Sequence, residues 1–91
     1  MRKTTEELRK MIASLDAAEA IEALSAYLDA EPDDDEALTL RGLKYWGAGQ
    51  RALSMNDYLR AVTINPGSRA AEALKAAREI LDYRNNDLYN P

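Results

Sequence analysis

The stretch DEALTLRGLKYWGAGQRALSMNDYLRAVTINPGS, residues 35–68, sets the architecture. Apolar side chains recur in it at helical spacing, and nothing alternates with the period of two that a strand needs. A helix begins near Asp35 and reaches about Gly47. Gly47-Ala48-Gly49 breaks it, with Gly49 free to adopt positive φ. A second helix covers about 51–64, and Asn65-Pro66-Gly67-Ser68 stops it. Two helices joined by so short a turn must pack antiparallel.

The flanks read the same way. Thr4-x-x-Glu7 has capping-box spacing and opens a helix over roughly 5–14, with Leu8, Met11, Ile12 and Leu15 as its stripe. Asp16-x-x-Glu19 opens another that runs to about Ala30, with Ala20, Ile21, Leu24, Tyr27 and Leu28 on one side. Pro32 cannot continue a helix interior, so that element ends at Glu31-Pro32-Asp33-Asp34. Ser68 caps a fifth helix over about 69–83. Asn85-Asn86-Asp87 reads as a break, leaving residues 85–91 as a non-helical tail in which Leu88 and Tyr89 are apolar. The fold class expected is all-α, a short array of antiparallel helical hairpins with about five helices.

The helix-ending prolines, Pro32 and Pro66, lie 34 residues apart. The same shift carries Leu24 onto Tyr58, Leu28 onto Val62 and Met11 onto Tyr45. A fixed period of this length with two helices per unit is the signature of tetratricopeptide repeats. Residues 35–68 resemble that family through Leu38, Gly42, Tyr45, Gly49, Tyr58, Ala61 and Pro66. Gly42 and Ala61 lack bulk and let helices approach closely, while Tyr45 and Tyr58 fill the space between the two helices of the hairpin. Arg41 and Ser54 depart from the pattern, standing where leucine and alanine are usual. A guanidinium is not buried unpaired, so Arg41 either snorkels outward or meets a carboxylate such as Asp57 or Glu72. The division expected is an atypical first repeat (1–34), a second repeat (35–68), a capping helix (69–84) and the tail (85–91), in a right-handed superhelical array. On the capping helix, Glu72, Lys75, Ala76 and Glu79 form a polar outer face, and Ala70, Leu74, Ala77 and Leu81 cover the preceding hairpin.

The resemblance implies a concave groove lined by the first helix of each repeat, where a peptide binds. Thr39, Leu43 and Trp46 share one helix face. Shifting them by one repeat in each direction adds Thr5, Arg9 and Ile12, and Ala73, Ala77 and Ile80. Trp46, the single tryptophan, either packs inside the array or under the C-terminal tail, or anchors a ligand. Arg9 is a solvated helix residue or a partner for a ligand acid. Some family members grip a C-terminal carboxylate in the groove. The corresponding positions here are Thr5, Arg9, Leu40, Ala70 and Leu74, of which only Arg9 suits that task, so a carboxylate clamp is not expected.

Composition bounds the rest. With neither cysteine nor histidine in 91 residues, thiolate metal sites and Ser-His or Cys-His catalysis are excluded. No spacing singles out a catalytic pair among the remaining residues, so no enzyme activity and no cofactor are expected. Asp33-Asp34-Asp35-Glu36 lacks the alternation of a calcium loop and complements a helix dipole, so no metal is expected either. The net charge of −4 is unevenly spread: residues 11–40 carry −9 and residues 41–71 carry +4. An acidic chain without interleaved basic and aromatic residues is not a nucleic-acid binder, and no apolar run matches a membrane span. The N-terminus lacks a signal-like apolar stretch, which points to a cytoplasmic address. The function expected is a non-catalytic scaffold for a protein or peptide. The alternative is a self-associating module, possible as a homodimer, whose groove its own tail or a second copy fills.

Overall fold

Four of the five helices start where a side-chain oxygen accepts from their free N–H groups; the one that follows Gln50 has no such cap. The computed structural model describes the backbone of residues 2–89 and the side chains of residues 2–83. The helices are α1 (Thr5–Ile12), α2 (Ala17–Ala30), α3 (Asp35–Gly47), α4 (Arg51–Ile64) and α5 (Ala70–Tyr89). No strand occurs among the described residues, and the fold is all-α. Thr4 with Glu7, and Asp16 with Glu19, form complete capping boxes at α1 and α2. The Asp34 carboxylate accepts from the N–H groups of Glu36 and Ala37 at α3. Gly49 takes φ 80° in the α3–α4 turn, a conformation open to glycine.

Two boundaries differ from the sequence reading. α1 stops at Ile12 rather than near residue 14, because Asp16 must be extended to cap α2. The chain turns in between, with the Leu15 N–H donating to the Ile12 carbonyl. α5 does not end near residue 83 or 84; its backbone stays helical through Asn85-Asn86-Asp87 to Tyr89. Asparagine and aspartate lower helix propensity by only about 0.7 kcal/mol each, far less than proline, and glycine and proline are absent from this run. α5 therefore includes most of the segment expected to be a tail. The side chains of Leu88 and Tyr89, expected to fold back or dock, lie outside the described residues.

α3 is the central element. It packs on α2 and α4 and also touches α1 and α5. Leu8, Ile12, Ala20, Leu24, Leu28, Ala37, Leu38, Leu40, Tyr58, Ala61, Ala70 and Leu74 form one continuous core drawn from all five helices. Its closest approach is at Gly42, where a Cβ would fall 2.5 Å from the Tyr58 ring. The Ser54 hydroxyl donates to the Gly42 carbonyl at 2.6 Å, so the serine at a usually alanine slot is satisfied inside the hairpin. Tyr58 fills that space as expected, whereas Tyr45 stays half-buried at its rim. Along α5, Ala70, Leu74 and Ala77 are buried and Leu81, expected with them, is half-buried, while Glu72, Lys75, Ala76 and Glu79 are exposed.

Arg41 resolves to the carboxylate option. Its Nε and Nη2 donate to the two Asp57 oxygens at 2.7 and 2.8 Å, and Nη1 donates to Ser25 Oγ at 3.1 Å. One side chain on α3 thereby joins α2 to α4. The paired carboxylate holds the guanidinium above its ordinary pKa, outweighing the opposing effect of burial.

Candidate functional site

Helical spacing puts Thr39, Leu43 and Trp46 on one side of α3, and their surroundings then separate them. Thr39 is 3% exposed. Its hydroxyl donates to the Asp35 carbonyl at 2.7 Å and lies 3.3 Å from the Ser68 hydroxyl. It is thus a joint between α3 and the start of α5, and no ligand reaches it. Leu43, one turn on, is 49% exposed. Trp46, a further turn on, is half-buried, with the Arg51 guanidinium stacked 4.4 Å from its ring centre. The tryptophan is therefore neither an interior residue nor a bare anchor: α4 covers one face of the indole.

Two concavities adjoin at Leu43. One, about 300 Å³, lies between α1 and α3 and is lined by Arg9, Ile12, Ala13, Leu40, Leu43 and Lys44. The other, about 200 Å³, lies between α3 and α5 and is lined by Leu43, Trp46, Tyr58, Ala73, Ala76, Ala77 and Ile80. Ligand pockets run from about 300 Å³ upward, so each of these suits side chains rather than a whole small molecule. Of the nine residues expected in the groove, Arg9, Ile12, Leu43, Trp46, Ala73, Ala77 and Ile80 line this pair. Thr5, half-buried on the first turn of α1, lines neither. Ile12 and Ala77 are floor residues, at 5% and 3% exposure, while Leu43 and Ile80 stand up from the surface.

The sequence reading missed Lys44, Ala13, Ala76 and Tyr58 as groove residues, and named Leu40 only as a position of the carboxylate grip. Leu40 and Lys44 stand one turn apart on α3, on the edge that faces α1. The signal was available in the spacing, but the repeat shift selects a single face and passes over its flank.

A larger hollow of about 490 Å³ lies on the opposite, α4 side, lined by Arg41, Tyr45, Leu53, Asn56, Asp57, Leu59 and Arg60. Its floor is the Arg41–Asp57 pair, whose hydrogen-bonding groups already serve each other and Ser25. Volume alone therefore does not single it out.

The acidic run before α3 is committed to the fold. Asp34 is 1% exposed; it caps α3, accepts from the Tyr27 hydroxyl and pairs with Arg2 at 3.2 Å. Asp35 accepts from Arg2 at 3.3 Å and from the Asn65 amide at 3.2 Å. Burial alone would raise the Asp34 pKa; the hydrogen bonds from Tyr27, Arg2 and the Ala37 N–H override it and hold the carboxyl below its ordinary value.

Neither a family model, nor a curated protein, nor a solved structure matches this chain. Among the described residues no helix is long and apolar enough to cross a membrane.

Proposed function

We propose that this chain is a non-catalytic scaffold that holds a protein or peptide segment along its α1–α3–α5 face, in the manner of a two-repeat tetratricopeptide array sealed by a capping helix and working in the cytoplasm. The observation that supports this most is Leu43. It is a large apolar side chain, half exposed at the middle of the central helix, and it forms the wall shared by two small apolar hollows. Ile80 stands exposed on the far wall and Arg9 closes the near end. Small hollows flanking a ridge take successive side chains of a chain laid across them. Two interhelical steps span about 16–20 Å, the length of five or six residues of extended backbone.

Selection from a random peptide library tests the reading. Enriched peptides are expected to lose at least about tenfold in affinity on the Leu43→Ala, Ile80→Ala variant, and to keep it on Leu53→Ala, which alters the α4 side. Both groove residues are exposed enough that folding should survive, as circular dichroism would verify. Equal binding to all three proteins would refute the groove.

A further inference from the structure

The charge at the α1 end of the groove opposes the charge of the chain, whereas at the α5 end Glu79 joins Ala76 and Ile80 in a further hollow of about 550 Å³. The protein carries −4 overall, yet the two hollows beside Leu43 are lined by Arg9 and Lys44 and by no carboxylate. Neither cation has an ion-pair partner among the described residues. A third cation, Arg51, lies over Trp46 at the other end. The acids of residues 11–40 are turned elsewhere, several of them into caps and the Arg2 contacts. A cleft lined by one sign of charge attracts the opposite sign locally, whatever the net charge. Unpaired cations beside apolar hollows are also what a ligand carboxylate needs, since pairing there does not break an existing bridge.

We infer, resting on the groove reading above, that the occupant is an amphipathic segment whose apolar side chains enter the hollows beside Leu43 and whose carboxylates meet Arg9 and Lys44. The apolar groups supply burial; the acids add attraction at the α1 end, where Arg9 and Lys44 stand.

Two extended peptides of about six residues serve as probes. Both carry leucines at alternate positions; one has glutamates and the other lysines between them. Titration followed by Trp46 fluorescence and by calorimetry reads the affinity. At about 50 mM salt the acidic peptide should bind about three- to tenfold tighter than its basic twin, and the gap should close near 0.5 M salt. The Arg9→Gln, Lys44→Gln variant should bring the acidic peptide down to the level of the twin. Basic peptide binding as tightly or more tightly would overturn the inference while leaving the groove standing. An acidic preference that survives in the variant would overturn the roles of Arg9 and Lys44. If neither peptide binds, the groove reading itself falls, and this inference with it.

Discussion

Gly42 shows how one missing atom determines a helix contact. An added Cβ would meet Tyr58 Cε1 at 2.5 Å and Cδ1 at 2.7 Å, and the ring is 2% exposed. Gly42→Ala gains about 1 kcal/mol of helix propensity but forces overpacking that costs about 1–3 kcal/mol. A net loss of up to about 2 kcal/mol in urea unfolding is expected. In a Tyr58→Ala background the same change should stabilise, because only the propensity gain remains; destabilisation in both backgrounds would contradict this account. Asp34 makes a second prediction, about pH. Its folded pKa is depressed, so its contribution is complete above the unfolded value, near 3.9, and is lost as pH falls through the folded value. Asp34→Asn should therefore cost about 1–3 kcal/mol at pH 7 and much less near pH 2. A constant difference between the two proteins across that range would refute the assignment.

Helix ends were legible where the cap is written in local residues. α2, α3 and α4 fall on their expected spans because Asp16, Asp34, Pro32, Gly49 and Pro66 act on their immediate neighbours. α1 and α5 did not follow, and each for a local reason that competed with another. Two caps share the α1–α2 link, and the second claims residues that could have extended the first helix. In α5 a polar run looks like a stop but contains no true breaker. Ser68 carries the element-level prediction. Its hydroxyl accepts from the Ala70 N–H at 3.1 Å and meets Thr39 at 3.3 Å. Thr39 spends its own proton on the Asp35 carbonyl, so Ser68 donates to Thr39 while accepting from the helix. Ser68→Ala removes both links and should lower stability by about 1 kcal/mol. Hydrogen exchange should quicken first in the opening turn of α5; uniform acceleration over all helices would point to another cause.

For the molecule as a whole, the Arg41–Asp57 pair ties the three central helices together. Asp57→Leu leaves a largely buried guanidinium with Ser25 as its hydrogen-bond partner and the Tyr45 ring centre 5.7 Å away, and a loss of about 2–4 kcal/mol is expected. Arg41→Leu with Asp57→Leu places an apolar pair in the same space and should return to within about 1 kcal/mol of the parent. Thermal unfolding of the single and double variants measures the coupling, and simple additivity would remove the pair from this role. From the order of residues alone came the five helices, most of their caps, the small residue at the tight contact and the face that bears Leu43 and Ile80, since each depends on spacing or on a neighbour a few residues away. Folding settled which of those groups a ligand can touch. Thr39 shares a helical face with Leu43, yet the start of α5 closes over one and leaves the other open; Lys44 lies off that face, yet α1 turns it into a wall. Burial and pairing depend on elements some thirty residues distant, and no local pattern carries that distance.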